Sequence, residues 1–142
     1  MRITAPMTEG DNVVTGSKSV RVGYHAAGLG LQRTLCKGPK RNRGWVVVHL
    51  DSGRVLSIQR LEYHQARRVL AVAAILADNL HFSWTLTEMQ LKAAILECCA
   101  PKKIRKALNA AACIARPNNA EQRRAARPTA IVAAALDEIR GI

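Results

Sequence analysis

At 142 residues and 15.5 kDa, the chain has room for one compact domain, or for two very small ones sharing a core. Lys and Arg number 22 against 10 Asp and Glu, a formal net charge of +12 that self-repels in the folded chain and points to a polyanionic partner, nucleic acid first, an anionic membrane surface second and an acidic protein third. The longest strongly apolar run, residues 69–77, is too short to span a bilayer, which excludes a membrane-spanning helix.

Residues 1–18 mix Thr, Gly, Asp, Asn and Ser with Pro6 and hold no sustained period, so a flexible arm is expected. No apolar signal-peptide core is visible there, and the expected location is cytoplasmic or nucleoid-associated. Val20, Val22 and Tyr24 alternate as in a strand, and residues 29–35 read as a second. A loop rich in Gly and Pro follows, carrying Lys37, Lys40, Arg41 and Arg43. Residues 45–50 (Trp-Val-Val-Val-His-Leu) are β-branched and aromatic, Asp51-Ser52-Gly53 has turn chemistry, and residues 54–58 return, which predicts a hairpin.

The period then changes to helical over about residues 60–78, with Leu61, Val69, Val72, Ala73, Leu76 and Leu80 on one side and Asn79 as the stop. Thr85 to Glu88 spells a capping box for a helix from 86 to about 99. Pro101 can open the next helix, which must stop by Arg116, ahead of Pro117. Asn118 and Asn119 cap a short segment to Ala126, and a last helix spans 128–140 with Ile131, Leu136 and Ile139 inward. The expected fold class is α+β: a small antiparallel sheet plus a long helix (residues 19–84), followed by a helical C-terminal half (85–142), the two packed as one unit.

The helix that Pro101 opens carries Lys102, Lys103, Arg105 and Lys106 in its first turns. Cations at a helix N-terminus oppose the macrodipole by a few tenths of a kcal/mol or more apiece, a cost that a bound phosphate would remove. Residues 94–109, Ala-Ile-Leu-Glu-Cys-Cys-Ala-Pro-Lys-Lys-Ile-Arg-Lys-Ala-Leu-Asn, resemble the helix-turn-helix of repressor-type DNA-binding proteins, departing from it at Glu97 and Cys98. The resemblance implies that the second helix enters the major groove, and that the protein acts as a homodimer, with residues 128–140 a candidate contact. Residues 29–77, through Gly44-Trp45-Val46-Val47-Val48-His49, Gly53-Arg54-Val55-Leu56 and the long helix, resemble the three-stranded-sheet-plus-helix modules of plant ethylene-response factors and phage integrase arm-binding domains. Those modules read DNA with the open face of the sheet.

Cys36, Cys98, Cys99 and Cys113 form neither a disulfide framework nor a zinc motif and read as small apolar core residues of a reducing compartment. No P-loop, nucleophile elbow or HExxH is present, and His25, His49, His64 and His81 lack ligand spacing. The expectation is therefore a non-enzymatic protein without cofactor or metal. It would grip nucleic acid, DNA in preference to RNA, in a regulatory or accessory role, using Lys37, Lys40, Arg41, Arg43, Lys102, Lys103, Arg105 and Lys106. The alternative is a small phage- or plasmid-type inhibitor whose basic face docks on an acidic host protein.

Overall fold

A computed structural model describes residues 1–9, 13–33, 44–56, 61–98, 101–114 and 116–140. Residues 29–33 and 45–49 are the β-rich runs, and they form β4 (Leu29–Arg33) and β5 (Trp45–His49), paired antiparallel from Leu29↔His49 to Arg33↔Trp45. A two-residue strand β3 (His25–Ala26) pairs on the other side of β4, giving the order β3-β4-β5. The turn between β3 and β4 has both central residues left-handed, Ala27 at φ 56° and Gly28 at φ 86°. Such primed turns match the twist of the paired strands, and a left-handed alanine costs about 1 kcal/mol.

The amino-terminal segment differs from the flexible arm expected of its composition. Residues Arg2–Glu9 form β1 and Val13–Arg21 form β2, an antiparallel hairpin with a register shift at Met7/Thr8. Alternation there is interrupted by Pro6, Gly16 and the bulge, which hides the strand period from the sequence. Beyond β2 the chain stays extended, and it exchanges Gly23 N–H to Leu31 O at 3.0 Å and Leu31 N–H to Tyr24 O at 2.8 Å.

Strand β5 is buried on both faces, which accounts for its unbroken apolar run in place of alternation. Val47 points into the main core, while Val46 and Val48 pack with Ile3, Val22 and Leu50 in a second, small cluster. The return of the expected hairpin is irregular: Val48↔Val55 is an isolated bridge, Leu56 N–H reaches Val47 O at 2.8 Å, and residues 57–60 lie outside the described residues.

The first helix, α1 (Tyr63–Leu80), starts later and ends later than its sequence period suggests. Gln65 Oε1 accepts from the Glu62 N–H at 3.0 Å at its start, and His81 closes it in the left-handed conformation at φ 59°. Asn79 lies within the last turn and donates to Ile75 O at 2.9 Å. Around α1 are α2 (Glu88–Cys98), α3 (Pro101–Ala112), α4 (Ala120–Ala125) and α5 (Pro128–Ile139). Helix α2 is capped by Thr87, whose hydroxyl accepts from Gln90 N–H at 3.4 Å while Gln90 Oε1 accepts from Thr87 N–H at 3.3 Å. That is the capping box, displaced by two residues from the one expected at Thr85, and it leaves Glu88 to pair with Arg54. Asn119 caps α4 as its position suggests, accepting from Gln122 N–H at 2.8 Å.

The fold is α+β. One side of α1 meets β4 and β5 and the other meets α3 and α5, so Val69, Val72, Ala73 and Leu76 are fully buried between them. Each such Val or Leu contributes about 1.5–3 kcal/mol of burial free energy. Alanines at 66, 73, 107 and 111 are buried too and bring the helices close. Helix α2 contributes little to the core, with Leu91 its only buried residue. Cys98 and Cys113 are exposed, in contrast to the core positions expected for cysteine, and Cys36 and Cys99 lie outside the described residues.

A Cβ on Gly28 would stand 2.7 Å from the backbone carbonyl carbon and oxygen of Trp84. Gly28→Ala is therefore expected to cost about 3 kcal/mol or more, from backbone strain and collision with atoms that cannot rotate away. Ala27→Asn, which relieves strain at the neighbouring position, should gain about 1 kcal/mol. Urea unfolding of the two variants checks both signs.

Candidate nucleic-acid interface

Pro101 opens α3 and sets the four expected cations on its first two turns, where all four side chains are exposed. Their surroundings differ. Lys103 Nζ donates to Ile139 O at 3.0 Å, so its ammonium sits at the C-terminal end of α5 and offsets the negative pole of that helix. Lys106 is ion-paired with Glu138 of α5. The penalty expected of cations at the start of α3 is thus relieved within the protein for two of the four. Lys102 and Arg105 have no comparable partner among the described residues.

Lys102, Lys103 and Lys106 border a groove of about 670 Å³ between α3 and α5, floored by Ala107, Ala110 and Ala134. Arg105 instead borders a smaller cavity of about 250 Å³, beside Ile95 and Leu108. The expected basic loop, with Lys37, Lys40, Arg41 and Arg43, lies outside the described residues. The residues flanking it in the sheet, Arg33 and Trp45, are partners across β4 and β5. Arg116, Arg123, Arg124 and Arg127 are all exposed around α4.

Neither face of β5 is open for reading DNA, because the face turned away from α1 is covered by Ile3 and Val22. Helix α5 buries Ile131, Val132, Leu136 and Ile139 and packs on α1 and α3, while its Ala134 borders the groove.

One group on the surface has no counterpart in the sequence reading. Tyr24, which follows β2, Trp45 at the start of β5, and Tyr63 and Arg67 on the first turns of α1 meet in space. The Arg67 guanidinium lies 3.8 Å from the Tyr24 ring centroid and 5.9 Å from that of Tyr63. The Trp45 and Tyr63 rings pack edge to face, 5.1 Å apart at 69°. The hydrogen bond with the Tyr63 hydroxyl, partly opposed by desolvation, pushes the Arg67 guanidinium above its ordinary pKa. The i, i+4 spacing of Tyr63 and Arg67 is legible in sequence; the arrival of Tyr24 and Trp45 beside them is not.

The buried polar centre is His49. Its Nε2 donates to Trp84 O at 2.8 Å and Leu86 O at 2.9 Å, since carbonyls can only accept. With the proton on Nε2, Nδ1 accepts from the Ser52 hydroxyl at 2.8 Å, and Ser52 Oγ also accepts from Arg54 N–H at 3.2 Å. This network ties the turn after β5 to the loop before α2. No group of three His, Cys, Asp or Glu among the described residues could hold a metal ion, and no helix among them is long and apolar enough to cross a membrane. No protein family, curated protein or solved structure matches the chain.

His49→Ala would leave two buried carbonyls without a donor and open a cavity, an expected loss of about 2–4 kcal/mol in chemical unfolding. Ser52→Ala, which removes only the half-exposed end of the network, should cost about 1 kcal/mol or less.

Proposed function

We propose that the protein binds nucleic acid, with duplex DNA the first candidate, by gripping phosphates with a basic surface. The observation that carries this reading is the charge balance. A net charge of +12 stands on 142 residues, and among the described residues only Arg54, His64, Lys92 and Lys106 stand in ion pairs with acids. Unpaired surface cations attract a polyanion and release its condensed counterions on binding. The phosphate contacts proposed in the described residues are Lys102 and Arg105 on α3, joined by Lys37, Lys40, Arg41 and Arg43, which lie outside the described residues. Lys103 and Lys106 serve α5 first and contribute to the local potential. A regulatory or accessory role, a cytoplasmic or nucleoid-associated location, and the absence of a catalytic step go with this function.

A second reading, an acidic protein partner as for a phage- or plasmid-type inhibitor, draws on the lysine-bordered groove between α3 and α5. Its apolar floor would take an amphipathic segment with an acidic edge.

Fluorescence anisotropy of labelled duplex DNA, duplex RNA and single strands, from about 50 to 300 mM salt, tests the function. Affinity should fall by orders of magnitude across that range. Lys102→Glu with Arg105→Glu should weaken binding and reduce the logarithmic salt slope by about 2 or more. No binding to any of the three at the lowest salt would turn the search to acidic protein partners.

A further inference from the structure

The chain holds five aromatic residues, and the fold divides them sharply. Phe82 and Trp84 are buried against each other, with the Trp84 indole donating to Ala73 O at 2.8 Å. The other three gather at one place on the surface, where Tyr24 is 38% and Tyr63 44% exposed. Exposed tyrosine faces in a chain so poor in aromatics are a poor use of rings for core packing and a good one for stacking.

We infer that Tyr24, Tyr63 and Arg67, backed by Trp45, form a stacking site for an unpaired nucleobase of a single-stranded nucleic acid. The geometry supplies what such a site requires. Trp45 packs edge to face with Tyr63 and holds that ring in place, while Tyr63 stays 44% exposed. The Arg67 guanidinium lies over one face of the Tyr24 ring, 3.8 Å from its centroid, so its own outer plane offers a base a flat surface that carries a positive charge. Arg33, the cross-strand partner of Trp45, stands exposed on the same side of the sheet and can meet the phosphate beside a stacked base. Aromatic faces and guanidinium planes stack any base, so the site discriminates by accessibility and not by sequence. Bases within a duplex are already stacked on their neighbours, which leaves loops, ends and single strands as the substrate class.

This inference rests on the nucleic-acid reading above, and its test separates the two. A labelled short single strand of mixed sequence, a strand of the same length made of abasic residues, and a blunt duplex are titrated with wild-type protein, Tyr24→Ala, Tyr63→Ala and Tyr63→Phe. Urea unfolding of each variant confirms that it folds. The abasic strand keeps the phosphates and loses only the bases. Wild type should prefer the normal strand to the abasic one by about tenfold. Tyr63→Ala and Tyr24→Ala should erase that preference while leaving abasic binding intact, and Tyr63→Phe, which keeps the ring, should preserve it.

Equal affinity of wild type for normal and abasic strands would overturn the stacking site while leaving phosphate-driven binding standing. A preference that survives both alanine variants would likewise overturn it. Failure to bind any of the three probes would remove both readings.

Discussion

The loop of residues 82–86 is where the halves of the molecule are held together. The Trp84 indole reaches the Ala73 carbonyl inside α1, the Trp84 and Leu86 carbonyls accept from His49 at the end of β5, and the Trp84 backbone presses on Gly28 in the turn before β4. The hydrogen bonds among these are buried or partly so, and losing a partner there leaves a polar group unpaired and shielded from water. The same loop delivers the chain into α2. The joining of the sheet and α1 to the loop that leads into α2 therefore rests on one imidazole, one indole and the absence of a side chain at position 28.

With that joint set, α1 becomes the shared wall of two layers, the sheet on one side and α3 with α5 on the other. Alanine does on this helix what larger residues cannot: Ala66, Ala73 and Ala77 are buried and let neighbouring backbones approach, at the cost of little apolar area per residue. The second cluster, around Ile3, Val22, Val46 and Val48, extends the core to the outer face of the sheet and anchors the start of β1. Gly30 permits that contact, since a Cβ there would fall 2.4 Å from a Val22 methyl.

The placement of charge follows from this architecture. Exposed cations stand on strands, as Arg2, Arg21 and Arg33, as well as on the helices, and α3 divides its own between two duties. Lys103 and Lys106 secure α5 electrostatically, while Lys102 and Arg105 face outward. The aromatic group of Tyr24, Trp45 and Tyr63 carries a cation of its own in Arg67, and Arg33 is the cross-strand partner of Trp45.

Local signals determined much of this protein. Pro101, Asn119 and Pro128 mark helix starts through backbone chemistry that acts within a few residues, and the 3.6-residue period identified the buried side of α1 because burial on one face needs no knowledge of the partner. The α+β class and the excess of positive charge were legible for the same reason. Tertiary structure decided what depends on distant contacts. A hairpin broken by Pro6 and a bulge exists because β1 and β2 pair with each other, not because either segment alternates. The capping box at Thr87, and not Thr85, follows from the loop that His49 holds. Tyr24 and Arg67 are 3.8 Å apart though far apart in sequence, and Lys103 meets the end of α5 across a comparable gap. Periodicity says which side of an element is apolar, but only packing says what that side, or the charge opposite it, will meet.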